Sequence, residues 1–435
     1  MRQPHPATAP SEHLVIVGNG MAGHRLVEAL LARPERPARI TVIGAETTPA
    51  YNRILLSPLL AGEMERDALT LRDAEWYAEQ GIELVLGERV ETIERSARRL
   101  TTDAGRELDY DHLVLATGSH PARPPVPGLE LPGVHVFRDL NDADALANAA
   151  ETGRNAVVIG GGLLGLEAAE GLRKRGMRVS LLQRDDRLMN RQLDLTAARL
   201  LEKELRGRGL DIHTDAQLER LEAGAYGQVC AALLGDGTRL AADCVVVAIG
   251  IVPHTALARS AGLEVNRGVV VDEWLTTSDP AIHALGECCE FEGQTYGLVE
   301  PIWRQVDVLA ERLCRSDTEG AQGYVEQPTA TKLKVSGVSL YAFGPTDPEP
   351  GGHEVLSYRD PQQGDYRRLL LRDGRLEGAV LYGDTASGPW YFEQALAGRD
   401  LTACRSALLL GAADAQLLLD DALNESPQRP AKEAA

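Results

Sequence analysis

The chain has 435 residues, which at roughly 150 residues per domain suggests about three domains. Hydrophobic residues make up 44% and charged residues 25% of the chain, a globular composition that excludes global disorder. The formal net charge is -19 and no long basic run occurs, which argues against a nucleic-acid binder. No run of about 18 apolar residues is present, so we expect no membrane span.

Residues 1–11 are rich in Pro and Ala without an apolar core, which predicts a disordered tail rather than a signal peptide. The six cysteines form neither a CxxC pair nor a metal-ligand pattern, which predicts reduced thiols, no metal site and a cytoplasmic protein. They are Cys230, Cys244, Cys288, Cys289, Cys314 and Cys404.

The pattern from His13 to Ile43 is a buried strand, a glycine turn, an amphipathic helix to about Arg33, and a second strand, which predicts a βαβ unit. The same cassette returns at 155–182, 142 residues after the first, counted from Gly18 to Gly160. Short apolar runs are expected to close the two sheets, at 113–116, 244–249 and 281–285.

Beyond about Tyr324 the glycine cassettes stop, and the pattern indicates a third domain of the α+β class. Its strand-like runs lie at 331–339, 366–372 and 378–382, and the period is helical over 390–419. The last residues, 424–435, are polar with two prolines, which predicts a second disordered tail.

The first glycine turn, Gly18 to Gly23 with Gly20 between them, has the spacing GxGxxG. Such glycines permit the tight turn, the approach of a pyrophosphate and close helix packing, so that the helix N-terminus faces the anion. Glu46 follows the last glycine by 23 residues, at the end of the next strand, where a carboxylate can bind ribose hydroxyls. The sequence therefore predicts a dinucleotide site here.

The second turn repeats this geometry, and its candidate nucleotide-binding positions are Gly160, Gly162, Leu164 and Gly165. The strand that follows ends in Gln183-Arg184, where a carboxylate would mark NAD. The Arg184 guanidinium could pair with the 2′-phosphate of NADP, or it could be a solvated surface arginine beside Asp185. The choice between NADH and NADPH stays open.

Two dinucleotide sites in one chain imply hydride transfer from a nicotinamide to a flavin, so we infer FAD plus NAD(P)H. Over roughly 13–315 the sequence resembles the two-dinucleotide flavoprotein reductases of the pyridine-nucleotide disulfide oxidoreductase superfamily. The matching segments are Ala116-Thr117-Gly118, its counterpart Ala248-Ile249-Gly250, and Thr277 to Glu287. The resemblance implies that the acid after Gly286, usually Asp but here Glu287, binds the ribitol chain of FAD.

The segment Tyr51 to Pro58 is diagnostic within the superfamily, because disulfide reductases carry their redox cysteine hereabouts. This chain has no cysteine before Cys230, which excludes a dithiol relay next to the flavin. The YNRILLS form, which ends at Ser57, resembles the flavin domain of NAD(P)H-dependent nitrite reductases, the electron-transfer subunit of assimilatory nitrate reductases, and rubredoxin reductases. That resemblance implies that Arg53 lies by the FAD.

Three further segments resemble the nitrite and nitrate reductase branch: Tyr296 to Gln305, Thr331 to Gly344, and Ala379 to Asp400. The first is the flavin-adjacent helix start and contains Trp303. Relatives with the GxGxxGxE form place the acid, here Glu167, toward the nicotinamide, although an acid at a helix start is also explained by the helix dipole.

The combined prediction is an α/β chain with two Rossmann-like dinucleotide-binding domains, for FAD and for NAD(P), plus a C-terminal α+β domain. The expected boundaries are 1–11 for the first tail, 12–118 and 248–323 for the FAD-binding domain, 119–247 for the NAD(P)-binding domain, 324–423 for the C-terminal domain and 424–435 for the second tail. Hydride transfer through a flavin requires no catalytic acid or base from the protein.

We therefore predict an FAD-dependent NAD(P)H oxidoreductase that passes electrons to a separate redox protein, most simply the catalytic subunit of an assimilatory nitrate reductase. Only Cys404 follows Cys314, so we expect no iron-sulfur or sirohaem site within this chain. A rubredoxin or ferredoxin reductase is the alternative enzyme, and a non-catalytic flavoprotein scaffold or redox sensor is the alternative class. The oligomeric state is not predicted.

Overall fold

A computed structural model describes residues 12–315, 320–335 and 337–425. The predicted tail 1–11 lies outside the described residues, as does the predicted second tail from 426 onward, whereas 424 and 425 continue the last helix. The chain divides into two compact units. The first unit combines residues up to 124 with 136–147 and 249–327, and the second combines 125–135, 148–248 and 328 onward.

The strands and helices follow in chain order. Residues up to 124 form β1 (His13–Val17), β2 (Arg39–Gly44), β3 (Glu83–Leu86), β4 (Val90–Glu94), β5 (Arg99–Thr102), β6 (Glu107–Asp109), β7 (His112–Leu115), β8 (Ser119–Pro121), α1 (Met21–Leu31), α2 (Leu56–Leu60) and α3 (Ala74–Glu79). Residues 125–248 form β9 (Val134–Val136), β10 (Asn155–Ile159), β11 (Arg178–Leu182), β12 (Asp211–His213), β13 (Leu218–Ala223), β14 (Val229–Leu234), β15 (Arg239–Ala241), β16 (Cys244–Val247), α4 (Leu140–Thr152), α5 (Leu163–Lys174) and α6 (Leu195–Gly207).

Residues 249–327 form β17 (Ile251–Pro253), β18 (Val269–Val270), β19 (Ile282–Ala284), β20 (Cys289–Phe291), β21 (Gln294–Thr295), α7 (Ala256–Ser260) and α8 (Val299–Cys314). Residues from 328 form β22 (Thr331–Val335), β23 (Val338–Phe343), β24 (Glu354–Asp360), β25 (Asp365–Arg372), β26 (Arg375–Tyr382), α9 (Gly388–Leu396) and α10 (Ala412–Glu425). Short 3-10 helices lie at Arg53–Leu55, Arg66–Leu69, Gly286–Cys288 and Thr402–Ala407.

The first unit is built on a parallel sheet with the strand order β19-β7-β1-β2-β3. All five residues of β1 are buried, as expected of a strand that is covered on both faces and therefore reads as one apolar run. Helix α1 buries Leu26, Val27 and Leu30 in the same core. The predicted first βαβ unit and its closing strands, β7 and β19, are confirmed.

The second unit repeats this arrangement, with the strand order β12-β11-β10-β16-β9. Strands β10, β11 and β16 are parallel neighbours, as β1, β2 and β7 are in the first unit. Each unit also carries a three-stranded antiparallel sheet that we did not predict, β4-β5-β6 in the first unit and β13-β14-β15 in the second. The predicted fold class, two Rossmann-like domains, is confirmed.

The C-terminal part of the second unit is an antiparallel sheet with the order β22-β23-β26-β25-β24 and helices α9 and α10. The predicted single strand over 331–339 was wrong, because the chain reverses between β22 and β23, where Gly337 has a φ of +93°. The predicted helical run over 390–419 is interrupted. Helix α9 ends before Gly398, whose φ of +56° is the left-handed conformation that terminates helices, and α10 begins after Gly411.

No helix within the described ranges is long and apolar enough to cross a membrane.

Candidate dinucleotide-binding sites

The two glycine cassettes have the same backbone geometry. Gly18 and Gly160 have φ values of +119° and +116°, which favour glycine. Each donates its N–H to a carbonyl in the last two residues of the neighbouring strand, Gly18 to Ile43 and Gly160 to Leu182, both at 2.8 Å. The first glycine of each cassette therefore makes the tight turn that directs the chain from strand to helix.

The third glycine of each cassette permits a close backbone approach. A Cβ atom on Gly23 would lie 2.0 Å from the carbonyl oxygen of Gly18, and one on Gly165 would lie 1.9 Å from that of Gly160. Because the opposing atom belongs to the backbone, it cannot rotate away. These glycines let α1 and α5 pack against the turns that precede them, as the spacing predicts.

The middle glycine of each cassette faces open space. A Cβ atom on Gly20 or on Gly162 would meet no atom within 4 Å, outside its chain neighbours. Both residues are helix N-caps, of α1 and α5, and in the described structure no side chain caps either helix. The first N–H groups of the two helices are left for an anion, so both cassettes fit a dinucleotide pyrophosphate. Leu164 lies in the first turn of α5.

Glu46 follows β2 and lies beside two side chains of the YNRILLS segment. Its carboxylate accepts a hydrogen bond from the Tyr51 hydroxyl at 2.9 Å and forms an ion pair with Arg53. Arg53 also lies over the Tyr51 ring, 5.2 Å from the centroid, and donates to the carbonyl of Arg138 at 3.1 Å. Burial raises the pKa of Tyr51, which keeps its hydroxyl a donor. The structure thus brings together two predicted site residues, Glu46 and Arg53.

Glu287 lies in the 3-10 helix that follows β19, and its carboxylate is held by groups distant in sequence. Ser119 donates its hydroxyl to Glu287 Oε2 at 2.8 Å, and Arg138 forms an ion pair with the same oxygen. Gly118, with a φ of +66°, has the Glu287 carboxylate 3.9 Å from the place where its Cβ would be. Sequence reasoning missed Ser119 and Arg138, because nothing in their local sequence marks them.

The segments around Thr117 and Gly250 also meet in the first unit. Thr117 donates its hydroxyl to the carbonyl of His254 at 3.3 Å, and the carbonyl of Gly250 accepts from Ala122 N at 2.9 Å. The N–H of Ala116 donates to the carbonyl of Val17 at 2.8 Å, which places this segment directly behind the first cassette.

Helix α8 supports the second FAD motif through a buried amide. Gln305 is fully buried, and its Oε1 accepts from the N–H of Gly286 at 2.9 Å. A Cβ atom on Gly286, whose φ is +83°, would lie 3.2 Å from Ala22 Cβ in the first cassette. Trp303 is also on α8, and the Arg25 guanidinium lies over its ring, 5.8 Å from the ring centroid. Ser57 lies in α2. The roles of Trp303 and Ser57 toward a flavin remain predictions.

The strand end of the second cassette differs from that of the first. Gln183 turns toward the glycine turn, where its Oε1 accepts from the N–H of Gly161 at 2.8 Å and its Nε2 donates to Asp185 Oδ2 at 2.9 Å. The Arg184 side chain is 81% exposed and lies 4.0 Å from Asp185. Glu167 is half-buried on α5. The structure leaves an exposed guanidinium and a carboxylate at this strand end, so the donor preference remains a prediction.

The cysteines are all free thiols, and Cys288 and Cys289 are fully buried beside Glu287. The Sγ of Cys288 donates to the carbonyl of Leu115 at 3.3 Å, and burial raises the pKa of both thiols. Buried thiols of raised pKa are poor nucleophiles. Across the described ranges, no group of three His, Cys, Asp or Glu side chains is arranged to hold a metal ion.

Two sheets, each with a glycine cassette open at a helix N-terminus, define a protein with two candidate dinucleotide sites. The chain belongs to the pyridine nucleotide-disulphide oxidoreductase family, whose model matches residues 12–308. A second model, the rubredoxin NAD+ reductase C-terminal domain, matches residues 329–395. The family uses a flavin and a pyridine nucleotide, and the predicted membership of this superfamily is confirmed.

Curated relatives match nearly the whole chain. It is 42% identical to a nitrite reductase [NAD(P)H] of Bacillus subtilis over 87% of its length, and 40% identical to the assimilatory nitrate reductase electron transfer subunit of the same organism over 92%. Those alignments cover 46% and 51% of the relatives, so the chain spans about half their length. The resemblance to this branch is confirmed.

A different relative is matched over most of its own length. The chain is 38% identical to the ferredoxin--NAD(+) reductase component of the biphenyl dioxygenase system of Paraburkholderia xenovorans, covering 86% of this chain and 90% of the relative. Among solved structures, the covalent putidaredoxin reductase-putidaredoxin complex contains a similar chain, with a TM-score of 0.83 and 29% identity over 95% of this chain and 99% of that one.

Proposed function

We propose that this chain takes hydride from NADH or NADPH onto FAD and passes the electrons to a separate redox protein. The observation that carries the proposal is the pair of glycine cassettes with one backbone geometry, each open at its middle glycine, Gly20 and Gly162. A chain with two such cassettes can hold two dinucleotides, and hydride exchange between a nicotinamide and a flavin uses both.

We assign FAD to the first unit and NAD(P)H to the second, with the FAD-binding domain at 12–118 and 248–323 and the NAD(P)-binding domain at 119–247. In this assignment, Gly18, Gly20 and Gly23 cradle the FAD diphosphate, and Glu46 and Glu287 hold its ribose and ribitol hydroxyls. The charged partners Arg53 and Arg138 form ion pairs with these two carboxylates and hold them in place. When bound, FAD supplies the chemistry of accepting a hydride and releasing electrons one at a time.

The absence of a reactive dithiol supports a direct route from the flavin to another protein. The sequence has no cysteine before Cys230, and the thiols nearest Glu287 are buried, with a raised pKa. Free thiols throughout also agree with our proposal of a cytoplasmic location, where NAD(P)H is available.

For the acceptor we propose the catalytic subunit of an assimilatory nitrate reductase, since a protein named as the electron transfer subunit of that system is 40% identical over 92% of this chain. A ferredoxin or rubredoxin reductase is the second candidate. It is favoured by coverage, because a ferredoxin--NAD(+) reductase component is matched over 90% of its own length.

The hydride half-reaction is tested by mixing the purified flavoprotein with NADH and with NADPH in the absence of oxygen. We expect rapid loss of the yellow flavin absorbance with at least one nucleotide, followed by turnover with ferricyanide. A flavin that stays oxidised with both nucleotides contradicts the proposed enzyme and favours a non-catalytic flavoprotein.

The acceptor is tested with the reduced protein and three purified acceptors: a nitrate reductase catalytic subunit, a rubredoxin and a [2Fe-2S] ferredoxin. We expect the largest kcat/KM with the nitrate reductase subunit, measured for every acceptor as the initial rate of NAD(P)H oxidation, with nitrite formation as the check on that subunit. A larger kcat/KM with the ferredoxin or the rubredoxin would establish the second candidate instead.

A further inference from the structure

The loop between β11 and α6, residues 183–194, is packed onto the second glycine cassette. Met189 donates its N–H to the carbonyl of Gly161 at 2.9 Å, and a Cβ on Gly161 would lie 2.6 Å from Leu188 Cδ2. Leu188 and Met189 are buried, and Met189 has a φ of +49°, rare for a residue with a side chain. The loop therefore has one well-defined conformation against the cassette.

This loop carries the groups that meet the adenosine ribose in a Rossmann site, since that contact falls at the end of the second strand. Here these are Arg184 and Asp185, and Asn190 Nδ2 donates to Asp185 Oδ2 at 3.0 Å from the far side of the loop. The position of Asp185 thus depends on the conformation of the whole loop.

The C-terminal sheet holds the end of the loop through a buried charge cluster. Asp194, which is 2% exposed, accepts from the Tyr366 hydroxyl at 2.7 Å and from Arg368 Nη1 at 2.9 Å through the same carboxylate oxygen. Its other oxygen accepts from Ala197 N at 3.3 Å and caps helix α6. Strand β25, which carries Tyr366 and Arg368, is therefore tied to the residue at which the loop becomes a helix.

A second contact holds the middle of the loop. Arg187 Nη2 donates to Asp347 Oδ2 at 2.7 Å, in the segment that follows β23. Arg368 also donates to the carbonyl of the preceding residue, Thr346, so the two contacts are joined. Removing one partner of the buried Asp194–Arg368 pair would leave the other charge buried and uncompensated, so this contact holds the end of the loop against the sheet.

We propose that Asp194, Arg368 and Tyr366 are positioning residues for the adenosine half of the pyridine nucleotide, through which the C-terminal domain sets nucleotide affinity. The inference rests on the proposed function, because it concerns the NAD(P)H site. It gives the C-terminal domain a role in selecting the hydride donor, in addition to any role in binding the acceptor.

The adjacent arginine provides a matched control. Arg367 is as buried as Arg368, but its guanidinium donates to the carbonyl of Leu409 at 2.9 Å and to Asp384 at 3.2 Å, and it lies over the Tyr391 ring. All these partners belong to the C-terminal domain. Arg367→Met and Arg368→Met remove equally buried charges from neighbouring positions of one strand, but only the second removes a contact with the loop.

The experiment compares two hydride donors, NAD(P)H and reduced nicotinamide mononucleotide, which lacks the adenosine half. The readout is the ratio of kcat/KM for the two donors, with ferricyanide as acceptor and with flavin content measured for each variant. Arg368→Met is expected to lower this ratio about tenfold, because only the adenosine half is misplaced. Arg367→Met is expected to change it less than about twofold.

A loss of stability alone lowers activity with both donors and leaves the ratio unchanged, and such a result for Arg368→Met overturns the inference. An equal fall in the ratio for Arg367→Met also overturns it. If Arg368→Met does not fold, Tyr366→Phe, which removes only the hydroxyl that donates to Asp194, provides the milder test, with an expected fall of about threefold. A wild-type protein that accepts hydride from neither NADH nor NADPH contradicts the proposed function itself.

Discussion

The two glycine cassettes share a backbone but differ in the side chains around them. In the first unit each candidate acid contacts one arginine and one hydroxyl. Glu46 contacts Arg53 and Tyr51. Glu287 contacts Arg138 and Ser119. In the second cassette the strand end presents Gln183, turned inward, and an Arg184 side chain that is 81% exposed. The two cassettes therefore share the backbone geometry that fits a diphosphate and differ in the charged side chains around the adjoining strand ends.

The largest effects are expected from filling the space at each middle glycine. Gly20→Val and Gly162→Val each place a side chain where a diphosphate would lie, and no atom within 4 Å of the added Cβ obstructs folding. We expect Gly20→Val to weaken flavin binding, and Gly162→Val to raise the KM for NAD(P)H, each by about 100-fold or more, equivalent to about 3 kcal/mol. Flavin content and steady-state kinetics distinguish the two losses.

Gly207→Val is the control for this pair, because Gly207 also has nothing within 4 Å of an added Cβ but lies at the end of α6. It should bind flavin and NAD(P)H as the wild type does. Loss of flavin from Gly162→Val, with normal flavin in Gly20→Val, would reverse our assignment of the two cassettes.

Acid should destabilise the first unit through a buried histidine. His283 on β19 is 1% exposed, with the His112 ring centroid 5.9 Å away, and burial lowers the pKa of His283 to about 3. The folded state keeps this imidazole neutral while the unfolded chain binds a proton below pH 6.5, so stability falls as the pH falls from about 6.5 toward 3. At pH 5 the loss is about 2 kcal/mol relative to pH 8.

His283→Leu removes this titration. The difference between the free energies of unfolding at pH 8 and pH 5 should shrink by about 2 kcal/mol in the variant, measured by urea unfolding followed through flavin fluorescence. The same pH dependence in His283→Leu and in the wild type would contradict the prediction.

Breaking a charged pair in the first unit should have an intermediate effect. Glu287→Gln leaves Arg138 half-buried opposite a neutral amide, and we expect flavin to bind about tenfold more weakly, or about 1.4 kcal/mol. Equilibrium titration of the apoprotein with flavin measures this loss. Glu300→Gln, at a carboxylate on α8 that is 54% exposed, should bind flavin within about twofold of the wild type.

The smallest effect is expected at the open strand end. Arg184→Glu places a negative charge where a 2′-phosphate would lie, and it should lower the preference for NADPH over NADH by several-fold in kcat/KM, about 1 kcal/mol. Arg199→Glu introduces the same change of charge at an exposed position on α6 and should leave the preference unchanged. An unaltered preference in Arg184→Glu would show that Arg184 is a solvated surface arginine.

Much of the fold follows from local sequence, because buried parallel strands are continuous apolar runs and the glycine spacing marks the turn between strand and helix. The antiparallel sheet β4-β5-β6 was missed because its strands are only three to five residues long and each buries few apolar side chains. The hairpin of β22 and β23 was missed because a single glycine, Gly337, carries the reversal.

The backbone part of the candidate sites was predictable and the side-chain part was not. Gly18 and Gly160 are marked by spacing alone, because their role depends on neighbours a few residues away. The pairing of Glu287 with Arg138 and Ser119 joins positions 149 and 168 residues apart. Such a contact forms only when the folded sheet brings these positions together, so no local sequence pattern predicts it.

The fully enclosed pair Cys288 and Cys289 has a practical consequence. Both cysteines follow Glu287 directly and are buried in the core. A labelling reagent therefore reaches their sulfurs only when the first unit opens locally. The rate at which a maleimide reacts there therefore measures how often that unit opens in its native buffer, without a denaturant or an introduced probe. A ligand that binds only the closed form of the first unit should slow the reaction, and the slowing should increase with the fraction of protein that has the ligand bound.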